Sequence, residues 1–242
     1  MTNSAWQIEN HDVPFSSRGR TRRITVAMPC PDNINNKSIV YCADGQVIET
    51  LAFALRSLPE DNLPILVGVH SDPEVRAQEY LPSTKDLYLA HESFFVENVR
   101  SWAHDRFDIT MARDKSFVFG FSNGGAFAIS VAFRHCDRFA AAIAFSIPPF
   151  GDLPVSSSPC ERLPEIYLAS GNQGPEKSIR KNMVKLRRSL QRRGASLHYC
   201  ERTCGHTLDF WTSEFAEAIQ WLNRGRPQGS TSHGTTQDGA ER

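Results

Sequence analysis

The chain has 242 residues, 40% of them hydrophobic, and its 27 lysines and arginines balance 27 aspartates and glutamates. Such a length and apolar share suit one domain with a large core, and the balanced charge gives no electrostatic reason to bind nucleic acid. No apolar run approaches the roughly 20 residues of a membrane span, and Met1 to Asn10 has no basic region followed by a hydrophobic one, so no membrane contact and a cytoplasmic location are expected.

Residues 1 to 20 are polar and irregular, which predicts a loose arm ahead of a domain over 21–223. Thr21 to Met28 alternates as a strand does, and the Asp32 to Lys37 stretch reads as a turn. Ser38 to Ala43 is an apolar run of strand length that ends in Asp44-Gly45-Gln46, and Val47 to Leu58 has helical spacing closed by Pro59. Leu63 to Val69 is the next buried strand, followed by a polar loop over 70–80 that holds His70, Arg76 and Glu79. His91 to Phe107 carries Phe94, Phe95, Val99 and Trp102 at helical spacing.

Ser116 to Phe121 is a strand-type run that meets Ser122 between Gly120 and Gly124, and an Ala-rich helical stretch follows at once. That is the context of a nucleophile elbow, in which a sharp turn lifts a serine hydroxyl above the carboxyl edge of a sheet. Side chains two residues either side of the serine would collide with the strand and the helix, which accounts for both glycines. The helix starting there leaves amides unpaired, so the Asn123 N–H is placed to stabilise negative charge on a substrate carbonyl oxygen.

Ala140 to Ser146 is a further buried strand, and the Pro- and Ser-rich loop from Ile147 to Cys160 is suited to be a pocket wall or small lid. Glu165 to Ser170 is the next strand. Lys177 to Arg193 is then a helix with Ile179, Met183, Leu186 and Leu190 on its buried stripe and its basic residues on a solvated face. Ser196 to Cys200 is the last strand, a helix through Phe210 and Leu222 follows it, and a disordered tail is expected over 224–242. Strands alternating with helices argue a mostly parallel sheet with helices on both faces.

A serine nucleophile needs a histidine later in the chain. Among the eight histidines only His206 lies in a loop after a late strand, with Gly205 before it. The orienting acid is less determined. Glu176 is the only carboxylate between the strand ending at Ser170 and the final strand, Asp209 lies three residues past His206, and a Ser-His dyad without an acid is the third arrangement. Cys200 and Cys204 with His198 and His206 suggest a metal site only until strand alternation is considered, for it sends neighbouring side chains to opposite faces. No metal or cofactor is expected, and disulfides are not expected in a reducing compartment.

Asp44-Gly45-Gln46, Arg76-Ala-Gln-Glu79-Tyr80, Gly120-Phe-Ser-Asn-Gly-Gly125 and Cys204-Gly-His206 with Phe210-Trp211 together resemble the putative-esterase family of α/β-hydrolases, which includes enterochelin esterases, feruloyl esterases and esterase D. The resemblance implies an α/β-hydrolase fold and a second oxyanion N–H from Gln46, with Gly45 allowing close approach. Many relatives have Gly-Gly-His-Asp where this chain has Cys-Gly-His-Thr, and their acid often lies at or near position 174, here a glycine. The expected activity is hydrolysis of a small-molecule carboxylic ester through an acyl-enzyme, with acyl transfer or non-catalytic ligand binding on the same fold as alternatives. Phe121, Phe150 and Trp211 suit aryl or catechol-bearing esters, Arg76 is placed to clamp an anionic or carbonyl group, and Glu79 to hold that arginine.

Overall fold

The computed structural model describes residues 6–15, 20–29, 37–83, 85–108, 111–149 and 160–224. Among them a single sheet contains β1 (Trp6–Pro14), β2 (Thr21–Pro29), β3 (Ile39–Ala43), β4 (Ile65–Val69), β5 (Ser116–Phe121), β6 (Ala141–Phe145), β7 (Glu165–Gly171) and β8 (Leu197–Arg202). Their spatial order is β1-β2-β4-β3-β5-β6-β7-β8. The β1·β2 and β2·β4 pairs are antiparallel, and every pair from β4 through β8 is parallel.

Burial explains the sequence pattern of the middle strands. β3, β4, β5 and β6 are buried at every residue because helices cover both faces of a parallel sheet, so their sequences read as continuous apolar runs. Alternation still assigns each side chain to a layer. Ile39, Tyr41 and Ala43 join one core layer, and Val40 and Cys42 the other. The first layer takes its helical contacts from α3 (Lys85–Ser93), α4 (Arg100–Phe107), α5 (Asn123–Arg134) and α6 (Glu176–Arg192); the second takes them from α1 (Ile48–Ala54) and α7 (Leu208–Arg224). Each phenylalanine sealed in these layers, such as Phe119 or Phe127, contributes roughly 1.5–3 kcal/mol by leaving water.

Several expectations need correction. The loose arm is in part a strand: Trp6–Pro14 pairs with all of β2, from Trp6 opposite Pro29 to Pro14 opposite Thr21. An edge strand needs few anchors, and here buried Trp6 and Val13 supply them near its two ends while the residues between stay largely solvated, which is why the segment reads as polar and irregular. The stretch expected as a loop over 70–80 closes with a short helix, α2 (Arg76–Tyr80). The helix expected over 91–107 begins earlier, at Lys85, and carries a π-helical turn over Phe94–Val99 between α3 and α4.

Cys136 and Cys160 are joined as a disulfide with their Cα atoms 6.0 Å apart, contrary to the expectation of none. The pairing ties the end of α5 to the segment entering β7, a proximity that a separation of 24 positions along the chain does not announce. The expected turn at Asp32, most of the loop over 147–160 including Phe150, and the tail from 225 lie outside the described residues. No helix among the described residues is long and apolar enough to cross a membrane.

Candidate active site

β5 ends at Phe121 and α5 begins at Asn123, so Ser122 is the single residue that turns the chain from strand to helix. It does so at φ 54° and ψ −129°, a conformation costly for a side-chain-bearing residue and found where the surroundings over-determine it. Here the Ser122 amide donates to the Phe145 carbonyl at 2.9 Å, and the Ser122 carbonyl accepts from the Gly125 amide at 3.0 Å. A Cβ at Gly120 would run into the Gly124 carbonyl, and one at Gly124 would lie 3.0 Å from Asp44 Oδ2. Contact with fixed backbone therefore requires glycine at 120, while at 124 an added Cβ would press on the Asp44 carboxylate. As the first residue of α5, Asn123 has an amide without a helical partner.

Two loops at the carboxyl edge bring His206 and Glu176 together. The amides of Asn172 and Gln173, just past β7, both donate to the Cys204 carbonyl, at 3.1 and 3.0 Å. Gly174 then turns with φ 55°, and Glu176 opens α6. Its side chain is fully buried: Oε2 accepts from the Gly171 amide at 2.9 Å, and Oε1 lies 2.6 Å from His206 Nδ1. Since a carboxylate only accepts, Nδ1 carries the proton and Nε2 is left free to take one. Asp209, the other candidate acid, is exposed in the first turn of α7, where the helix dipole favours it.

His206 meets the Trp211 ring edge-on, with centroids 4.6 Å apart. Trp211 in turn stacks on Phe121 at 4.2 Å and 13°, and its indole N–H donates to Ser146 Oγ at 2.9 Å. Trp211 and Phe121 form one apolar wall of a cleft of about 370 Å³ that also exposes Ser122, Gln46, Asp44 and Arg76. The two aromatic rings thus connect the histidine to the serine's cleft.

On the opposite side, Gly45–Val47 forms a 3-10 turn directly after β3. A Cβ at Gly45 would strike the Gly68 carbonyl, so only glycine lets this turn pass so close to β4. Gln46 donates through its side chain to the Ser71 carbonyl at 2.9 Å. Arg76 and Glu79 part company here. Arg76 grips Asp44 with two bonds of 2.6 Å, whereas Glu79, 2% exposed, takes Arg22 at 2.6 and 2.9 Å. The expectation that Glu79 holds Arg76 or lines the pocket is corrected: its carboxylate is spent inside the protein, because α2 turns positions 76 and 79 toward different partners. Burial works to lower the Arg76 pKa, but the hydrogen bonds and charge of Asp44 outweigh it and raise it. His70, from the same segment, is engaged by Thr25 at 2.8 Å.

Asp44 and Tyr80 are the residues that reading the sequence did not single out for a role. Tyr80 is completely buried, and burial, reinforced by the Asp44 charge, pushes its pKa well above the ordinary value, so it remains a hydrogen-bond donor. The available signal was the one-turn spacing of Arg76 and Tyr80, which places them on one helix face. Cys200 and His206, weighed as metal ligands, have other partners: Cys200 donates to Glu214 at 2.9 Å and His206 pairs with Glu176. Among the described residues no cluster of three or more His, Cys, Asp or Glu side chains is placed to hold a metal ion.

The family model described as Putative esterase matches residues 16–222. The chain belongs to this esterase family. It is accordingly a carboxylic ester hydrolase of the α/β-hydrolase type. No curated protein matches the sequence. Solved structures similar to this esterase include the S-formylglutathione hydrolase of Staphylococcus aureus, at 15% identity and TM-score 0.67 over 92% of this chain and 99% of that one. The BES protein of Bacillus cereus is similar at 16% identity and TM-score 0.75, over 92% and 96% of the two chains. The ferric enterobactin esterase of Salmonella typhimurium aligns at 18% identity and TM-score 0.73 over 90% of this esterase, which spans only 58% of that longer chain. At such identities the likeness is one of fold.

Proposed function

We propose that this esterase works through an acyl-enzyme on Ser122, with His206 as the base and Glu176 as its orienting acid. The observation that carries the reading is the strained backbone of Ser122 at the strand-to-helix turn, in a cleft whose Trp211 wall abuts a histidine held by a buried carboxylate. A protein tolerates such strain where an exposed nucleophile is needed.

In this reading His206 Nε2 takes the Ser122 hydroxyl proton as Oγ bonds to the ester carbonyl carbon, and the carbonyl electron pair moves onto oxygen. The Asn123 and Gln46 amides stabilise that oxyanion. As the oxyanion collapses, the carbon–oxygen bond to the alcohol breaks and the imidazolium gives its proton to the departing alkoxide. Water then repeats the sequence on the acyl-enzyme and restores Ser122.

The flat Phe121–Trp211 wall and a volume of about 370 Å³ favour a single aryl or catechol-type group beside the scissile bond, such as one arm of a siderophore-like ester. Labelling by a fluorophosphonate followed by peptide mass spectrometry tests the assignment. One adduct on Ser122, lost in Ser122→Ala together with about three orders of magnitude or more of turnover on an aryl ester, is expected. Undiminished hydrolysis by Ser122→Ala would sink it.

A further inference from the structure

α2 has five residues, and three of its side chains grip something in the core. Arg76 and Tyr80, one turn apart, both hold Asp44, while Glu79 fixes the helix to β2 through Arg22. Asp44 in turn has nearly every polar atom committed. Its Oδ1 accepts from Arg76 Nε at 2.6 Å, Ser71 Oγ at 3.0 Å and Tyr80 Oη at 3.3 Å, and its Oδ2 accepts from Arg76 Nη2 at 2.6 Å. Its amide donates to Tyr80 Oη at 2.9 Å, and its carbonyl accepts from the Val47 amide at 3.1 Å.

All of this holds a residue in the left-handed region, at φ 62° and ψ 63°, immediately before the Gly45–Val47 turn. Unlike glycine, aspartate pays for that conformation, and the bonds to its side chain and backbone offset the cost. The same cluster also touches the nucleophile side. Arg76 Nη2 lies 3.5 Å from the Phe121 carbonyl oxygen, and the space left by the missing Cβ of Gly124 is bordered by Asp44 Oδ2 and Arg76 Nη2.

The geometry points to Arg76 as a positioning residue: through Asp44 it pins the turn carrying the Gln46 amide against the first turn of α5, and so sets the gap between the two amides that receive the oxyanion. The inference rests on the acyl-enzyme reading above. It also replaces the anion clamp expected from sequence. Asp44 and Arg76 are the charged residues lining the cleft, and they neutralise each other there, so the cleft has no net charge with which to prefer an anionic ester.

The test uses Arg76→Ala, Arg76→Lys and Tyr80→Phe in the full chain, with folding checked by thermal melting. Each is assayed on a neutral aryl ester and a matched carboxylate-bearing one, and against a trifluoromethyl ketone whose adduct with the serine carries the oxyanion. Positioning predicts that Arg76→Ala lowers kcat about tenfold to a hundredfold, with KM for both esters changed less than about threefold. Ketone affinity should fall in parallel with kcat/KM, and added guanidinium should restore part of the rate. Arg76→Lys should recover little, since an ammonium cannot reproduce the two-pronged grip. Tyr80→Phe, which keeps the packing, should lose roughly three- to tenfold in kcat and cover the case in which Arg76→Ala does not fold.

A KM rise confined to the carboxylate-bearing ester would restore the clamp and overturn the inference. So would unchanged kcat and ketone affinity in the folded variants. Absence of a fluorophosphonate adduct on wild-type Ser122 would instead remove the acyl-enzyme reading, and this inference with it.

Discussion

Glu176 accepts hydrogen bonds on both carboxylate oxygens, one from the Gly171 amide at 2.9 Å and the other from His206 Nδ1 at 2.6 Å, so the side chain that faces the histidine is itself fixed by the strand end beneath it. Replacing Glu176 by Gln keeps the shape and removes the charge, and it lets the amide donate where a proton already sits. Turnover is expected to fall by roughly two orders of magnitude or more with little change in KM. Asp209→Asn should stay near wild type. Steady-state kinetics on the two variants checks both statements, and the reverse outcome would move the acid to Asp209.

Gly120 is the tightest point of the elbow. Gly120→Ala puts a methyl group on the Gly124 backbone, which no rotamer can relieve, so a loss of about 3 kcal/mol or more is expected. Denaturant unfolding measures it. A midpoint equal to that of wild type would show that the elbow relaxes at no cost.

Glu214, 3% exposed on α7, accepts from Tyr167 at 2.5 Å, Cys200 at 2.9 Å and Arg202 at 2.6 and 3.1 Å. Burial acts to raise its pKa, but the hydrogen bonds from Arg202, Cys200 and Tyr167 prevail and lower it below the ordinary 4.5. A depressed carboxylate stabilises the fold above the unfolded value and ceases to do so as the pH falls through the folded one. Glu214→Gln should therefore cost about 2 kcal/mol at pH 7, a figure kept modest because Arg202 is half exposed. The gap between variant and wild type should narrow below pH 4.5. Urea titrations at pH 7 and below pH 4 test the sign.

His91 is completely buried against Tyr80 and Phe127, with neither ring nitrogen hydrogen-bonded and Glu79 Oε2 3.8 Å from Nδ1. Burial, with the Arg22 charge added and Asp44 opposing, pushes its pKa from 6.5 down to about 3. Across that window the unfolded chain binds a proton that the folded one refuses, so stability declines as the pH drops from 6.5 toward 3. By pH 5 this single residue should remove about 2 kcal/mol. His91→Leu should flatten the fall in unfolding midpoint between pH 7 and pH 5; an equally steep fall would assign the acid sensitivity elsewhere.

Local chemistry made much of this protein legible without coordinates. The apolar runs at 38–43, 63–69, 116–121, 140–146 and 165–170, short and bounded by turn residues, read as strands covered on both faces, and the helical stripe of Ile179, Met183, Leu186 and Leu190 as the face that packs against them. Gly120-Phe-Ser-Asn-Gly124 marked the elbow, because the steric demand that selects glycine there acts over two residues on either side. Tertiary structure decided what depends on contacts between distant segments. It gave Arg76 to Asp44 and Glu79 to Arg22, 32 and 57 residues away along the chain. It also joined Cys136 to Cys160 and laid Trp6–Pro14 along β2. A charged side chain takes whichever opposite charge the fold brings within reach, and an edge strand needs only a neighbour with free hydrogen-bonding groups; periodicity and spacing carry neither kind of information.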